Sequence, residues 1–230
     1  MVQRGLVQEQ ICYLSAMLEI RKFTVNPLRE NCYIVSDDTR ECVIIDCGAC
    51  TEAEKKAIKD YIESGNLTPK HLLLTHGHID HCIGNGFIER EYGLKPEVHI
   101  NEQRLMEQLP LQSEMIFGEP IRDVMPAVGK YFTDKDTVDF GNHTFEIIET
   151  PGHSPGGVFF YCRAEKVAFS GDTLFKGSIG RTDFMGGSMF QIIQSLRMVC
   201  QLDDDTKVYP GHGDDTTVGY ECVNNMYLDR

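Results

Sequence analysis

Apolar runs at 18–25 and 31–36, joined by Asn26-Pro27, predict two strands and a turn. Residues 41–46 read as a third strand. From 51 to 64 the apolar spacing becomes helical. Ala57, Ile58, Tyr61 and Ile62 share one face, Thr51 and Glu54 supply a capping box, and Gly65 ends the run. The apolar run 71–75 predicts a buried strand, and helical patterns follow over 83–92 and 101–109. Strands are expected at 136–140 and 143–150, parted by Gly141-Asn142, and at 157–162 and 166–170. A last helix over 188–201 takes Ser188 and Gln191 as its capping box and turns Ile192, Ile193, Leu196 and Val199 inward. Residues 207–209 form a final strand. Strands first, then helices alternating with strands, then strands again, suit a layered α/β domain with helices outside two packed sheets.

The chain has 230 residues, 41% hydrophobic and 25% charged, enough for one α/β domain with a substantial core. Residues 1–16 read as an N-terminal extension and 17–230 as the domain. A formal net charge of -13 disfavours nucleic acid as a partner. No apolar run reaches the length of a membrane span. The nine cysteines are odd in number and lack the spacing of a disulfide framework, which points to reduced thiols and the cytoplasm. Cys47 and Cys50 form a CxxC, but without a thioredoxin-like context or the second ligand pair of a zinc site.

The chemistry gathers where strands are predicted to end. Thr75-His76-Gly77-His78-Ile79-Asp80-His81 places four potential metal ligands in one segment after an apolar strand. A loop is expected there, because it lets alternate side chains converge where a helix would splay them. Three more candidates sit in turns marked by glycine or proline: His153 in Pro151-Gly152-His153, Asp172 in Gly171-Asp172-Thr173, and His212 in Pro210-Gly211-His212. Each follows a predicted strand, the edge at which α/β folds place ligands. Neutral imidazole and carboxylate suit zinc, iron or manganese. His71, His99 and His143 read as structural or surface residues, and Cys82 as a small buried one.

This constellation resembles the metallo-β-lactamase superfamily. Within it the chain looks most like the hydroxyacylglutathione hydrolase (glyoxalase II) branch, in a short form lacking the C-terminal helical domain. The matching runs are Thr75–His81, Thr150–Gly156, Gly171–Phe175 and Tyr209–Gly213. The resemblance implies a four-layer αββα sandwich holding two divalent metals, zinc before iron or manganese. His76, His78 and His153 would bind the first, Asp80, His81 and His212 the second, and Asp172 would bridge them. Asp at 172 departs from true β-lactamases, which tend to place Cys or Ser there. Gly180-Arg181-Thr182-Asp183 supplies the run typical of the short branch. Arg181 falls where longer relatives place a glutathione-contacting Lys, and Asp183 near where they place a Tyr.

The expected activity is hydrolysis of a glutathione thioester such as S-D-lactoylglutathione. Metal-bound hydroxide would attack the carbonyl, with Asp80 orienting it. Lys176 and Arg181 are the candidates to meet substrate carboxylates. Two rivals share the motifs: a persulfide dioxygenase using one iron on His76, His153 and Asp172, and a thioesterase or lactonase for another acyl group. A catalytically idle metal-binding domain is the rival from another class.

Overall fold

A computed structural model describes residues 17–228; the proposed extension 1–16 lies outside them. The first sheet takes β1 (Glu19–Val25), β2 (Glu30–Ser36) and β3 (Glu41–Ile45) as an antiparallel meander. Helix α1 (Glu52–Ser64) crosses over to β4 (Thr68–Leu73), which pairs parallel with β3. Helices α2 (Ile79–Cys82) and α3 (Asn85–Tyr92) lead to β5 (Pro96–His99). A 3-10 turn (Ile100–Glu102), α4 (Gln103–Glu107) and α5 (Leu109–Phe117) then lead to β6 (Lys130–Phe132). The sheet order is β1-β2-β3-β4-β5-β6.

The second sheet holds β7 (Thr137–Phe140), β8 (His143–Glu149), β9 (Val158–Cys162) and β10 (Val167–Gly171), each antiparallel to the next. A small hairpin, β11 (Leu174–Phe175) with β12 (Ser178–Ile179), and helix α6 (Met189–Val199) follow. Then come β13 (Lys207–Pro210), parallel to β10, β14 (Thr216–Thr217) and α7 (Val218–Asn224). The order is β14-β13-β10-β9-β8-β7.

Three apolar clusters define the layers. Tyr33, Val35, Val43, Ile45, Leu73 and Phe132 from the first sheet meet Phe140, Phe145, Phe160 and Phe169 from the second. The alternate residues Cys32, Ile34, Cys42, Ile44 and Leu72 face the other way, onto Ile58 and Ile62 of α1 and Phe87 and Ile88 of α3. Phe159, Tyr161, Ala168 and Val208 pack on Ile192, Leu196 and Val199 of α6 and Val218 of α7. The two-residue side-chain period of the strands thus feeds both faces of each sheet, giving an αββα sandwich. Each fully buried aromatic side chain of the central layer is worth about 1.5–3 kcal/mol.

Helix α1 starts on the expected capping box, with Thr51 and Glu54 bonding each other's backbone. Other boundaries differ. The strand expected at 71–75 runs from Thr68 to Leu73, and the helix expected at 83–92 opens at Asn85. The single helix expected at 101–109 is a 3-10 turn and two helices that reach Phe117. Gln108 breaks it, and α5 carries too little polar contrast for its period to be read from sequence. Strands β5, β6 and β14 are four residues or fewer and take their conformation from sheet neighbours, not from a local pattern.

Candidate metal centre

The C-terminal ends of β4, β8, β10 and β13 lie along one edge of the sandwich. His76, His153, Asp172 and His212 follow them within a few residues, the placement expected from sequence. One expectation is corrected: Asp80 and His81 sit on the one-turn helix α2, with His78 as its N-cap, not in an open loop. A single turn keeps two neighbouring side chains on the same rim, so it converges where a longer helix would diverge.

His76, His78 and His153 form one group whose nitrogens lie within 4.8 Å of one another, and Asp80, His81 and His212 form a second. His78 Nδ1 is 2.9 Å from His153 Nε2. Asp80 Oδ2 is 3.3 Å from His212 Nε2 and 3.7 Å from His81 Nε2. Asp172 lies between the groups. Its Oδ1 is 3.4 Å from His81 Nε2, and its Oδ2 is 3.6 Å from both His153 Nε2 and His212 Nε2.

Outer partners fix which ring nitrogen faces inward. His153 Nδ1 donates to the Arg181 carbonyl at 2.7 Å and His212 Nδ1 to the Leu28 carbonyl at 3.1 Å. His81 Nδ1 donates to Asp46 Oδ2 at 3.0 Å. The Thr75 hydroxyl donates to Asp46 Oδ2 at 2.6 Å and can accept from His76 Nδ1 at 3.0 Å. Four Nε2 atoms are left with lone pairs aimed at the centre, the second-shell arrangement typical of metal-binding histidines. His78 presents Nδ1 instead.

Asp46 also accepts from the Thr75 amide at 2.8 Å. It satisfies the geometry of a third cluster with His76 and His81, but its oxygens already face Thr75 and His81 Nδ1, so it serves as a support. Glu102 is another such support: its carboxylate accepts from Gly77 N at 2.7 Å and Gly156 N at 2.5 Å, tying the two ligand segments together. Asn31 and Tyr33 hold the His212 turn through the Pro210 carbonyl, at 3.0 and 2.7 Å. Sequence reasoning passed over all four. Only the non-glycine left-handed backbone of Asp46 (φ 51°) marks one of them as unusual, and that is a structural signal.

Buried polar atoms normally have partners. Here His76 Nε2 has no partner, and His81 Nε2 and Asp172 Oδ1 make no hydrogen bond and have only each other at 3.4 Å. Burial pushes His76 well below the usual histidine range, and burial beside His153 takes His78 down to about 4. Burial opposes charge on His81 too, yet Asp172, Asp80 and Asp46 outweigh it and raise its pKa well above normal. The rim therefore demands positive charge at its centre, and its imidazoles and carboxylates are the donors divalent cations prefer. A Cβ on Gly211 would collide with Asp172 Oδ1 and the His81 ring, so only glycine lets that turn close on the centre.

The remaining candidates stand at or beyond the rim. Arg181 is exposed and pairs with both Asp183 oxygens at 2.7 Å, its guanidinium 4.1 Å from the Phe184 ring centroid. Lys176 Nζ is 3.8 Å from Asp214. His99 and His143 are buried and paired with Glu149 and Asp37, and half-buried His71 with Glu97. Cys82 and Cys47 are core residues, and burial lifts the Cys50 thiol to about 11. No helix among the described residues is long and apolar enough to cross a membrane.

The fold and the histidine-aspartate rim define a metallo-hydrolase. The chain belongs to the metallo-beta-lactamase superfamily, whose family model matches residues 25–212. It is 36% identical to the hydroxyacylglutathione hydrolase GloC of Haemophilus influenzae, over 92% of this chain and 99% of that protein. Among solved structures it is similar to BLEG-1, a B3 metallo-beta-lactamase (TM-score 0.84, 33% identity, 92% of this chain and 100% of that one). It is also similar to TTHA1623 in a di-iron-bound form (TM-score 0.80, 34% identity, 90% and 100%).

Proposed function

We propose that the chain is a dinuclear metal-dependent thioesterase of the glyoxalase II type, cleaving S-acylglutathione to a carboxylic acid and glutathione. S-D-lactoylglutathione is the reference substrate. The observation that carries this reading is the pair of histidine groups sharing Asp172, with three buried inward atoms left without hydrogen bonds. His76, His78 and His153 are assigned to one divalent cation, Asp80, His81 and His212 to the other, and Asp172 to both. Zinc, iron or manganese held there would lower the pKa of a water to about 7 and polarise the substrate carbonyl.

The side chains supply the rest. Asp80 Oδ2, at the rim beside His212, accepts a hydrogen bond from the attacking water and orients it. The Asp46–His81 and Arg181–His153 bonds fix the ring orientations and keep the Nε2 atoms aimed at the centre. A thiol leaving group has a pKa near 8.5, so it departs without a strong general acid. Arg181 and Lys176 stand at the mouth to meet the glutathione carboxylates. The relationship to GloC supports the thioester reading, and the odd cysteine count without the spacing of a disulfide framework fits a cytoplasmic protein.

The test is S-D-lactoylglutathione hydrolysis with metal content measured on the same sample. Turnover with about two metals per chain is expected. No turnover by fully loaded protein would remove glutathione thioesters. Oxygen uptake with a persulfide substrate, and hydrolysis of a β-lactam, would then identify which other chemistry the centre performs.

A further inference from the structure

Beside the metal centre lies a cavity of about 260 Å³ whose inner wall is His78. Its other walls include Leu105, Leu111, Met115, Ile116 and Phe184. The Phe184 ring centroid lies 5.4 Å from that of His78 and 6.5 Å from that of His153. A group held in the cavity therefore touches the rim at which the reacting carbonyl must sit. Pockets for whole small ligands run to about 300–1,000 Å³, so this one takes one arm of a substrate.

The walls offer such an arm little polar contact. Gln112 lines the cavity, but its amide is already used: Nε2 donates to the Gly77 and Leu105 carbonyls at 3.1 and 2.9 Å, and Oε1 accepts from Ile79 N at 3.0 Å. Gln108 is the other neutral polar lining residue. Leu111 and Met115 are 54% and 76% exposed although they flank the centre. Large apolar side chains left open around a concave site are the usual mark of an apolar ligand group. A lactoyl group would fill little of this volume and set its hydroxyl against apolar walls.

Resting on the thioesterase reading, we infer that this cavity is the acyl pocket and that it selects an unsubstituted alkyl or aryl acyl group over a hydroxyacyl group. The polar thiol half of the substrate then lies outside the cavity.

Hydroxamic acids chelate metal through the carbonyl oxygen and the N–O oxygen, so they place an acyl tail independently of the thiol. The experiment compares acetohydroxamic and hexanohydroxamic acid by calorimetry on the zinc-loaded full chain, in the wild type, Met115→Glu and Leu111→Asp. Both substitutions fall on exposed positions outside the metal rim. Binding at least tenfold tighter for the longer tail, shrinking to under threefold in both variants, is expected. Equal affinity of the two acids, binding of neither, or a preference untouched by both variants overturns the pocket. The two readings fail separately. S-hexanoylglutathione turnover without a tail preference removes the pocket and keeps the thioesterase. A tail preference in protein that turns over no thioester keeps an apolar pocket and removes the thioesterase.

Discussion

The two ends of the sandwich use the same residue types and account for them in opposite ways. At the end away from the metal centre, Asp37 and His143 are both buried and bonded at 2.9 Å. Asp37 also accepts from Thr39 N at 3.0 Å, the Thr39 hydroxyl at 2.5 Å and Asn142 N at 2.7 Å. At the other end His76, His81 and Asp172 are as deeply set, and each leaves an inward atom without a hydrogen bond. A closed polar cluster ties β2 to the β7–β8 hairpin. An open one costs desolvation free energy and marks where a ligand completes it. The lesson is that histidine and aspartate together identify nothing until their bonds are counted.

The widest separation between the two ends is expected from Asp172→Ala. It should lower thioester kcat/KM on the order of a thousandfold, above the 10–100-fold typical of outer partners, and lose metal while the urea midpoint of the apo-protein stays near wild type. Retained activity and metal would sink the dinuclear assignment.

At the far end, Asp37→Ala should do the reverse: cost about 3 kcal/mol of stability, since hydrogen bonds to a buried charge are lost, and leave metal content unchanged. Burial pushes Asp37 up, but its bonds from Asn142, Thr39 and His143 outweigh burial and hold its pKa below the usual value. A depressed carboxylate contributes stability above the unfolded pKa of about 3.9 and loses it as pH falls through the folded value. Urea midpoints of wild type and Asp37→Asn should therefore differ at pH 7 and converge below about pH 4. A constant gap across that range would contradict a bonded, charged Asp37 carboxylate.

Asp46→Ala tests a support that touches the open end. Metal affinity, measured by competition with a chelator, should fall about 10–100-fold with the ligands all present. Unchanged affinity would reduce Asp46 to a turn residue. The smallest effects belong to the rim: Arg181→Ala should raise KM for S-acylglutathione about fivefold at most, with metal content intact. Asp183→Ala, which releases the guanidinium from its partner, should lower KM by less than that. An unchanged KM in both variants removes Arg181 from the binding site.

Much of this contrast is legible in the sequence. The segment His76–His81 is a local signal, since its candidates stand within a few residues of one another. His153, Asp172 and His212 were found because each is framed by glycine or proline after an apolar run. The fold class followed from the order of runs and the family resemblance. Boundaries were least legible where strands are short, as in β5 and β6, or where a helix is apolar on most faces, as in α5.

What the sequence determined by itself was the inventory of donors, their attachment to strand ends, the capping box of α1, the Ser188 N-cap of α6 without the expected return bond from Gln191, and the periodicity of both helices. These depend on neighbours in the chain, which a sequence displays. What only the tertiary structure decided was which polar atoms are already bonded. Asp46 and Glu102 read as ordinary acids until the pairing of β3 with β4, and of the 3-10 turn with the Gly156 turn, sets them behind the histidines. His143 reads like any other histidine until Asp37, distant in sequence, closes on it. Arg181 reads as a free cation until its guanidinium folds back onto Asp183 and Phe184. Hydrogen bonds and desolvation act over a few ångströms between segments far apart in the chain, so they are settled by packing and not by local pattern.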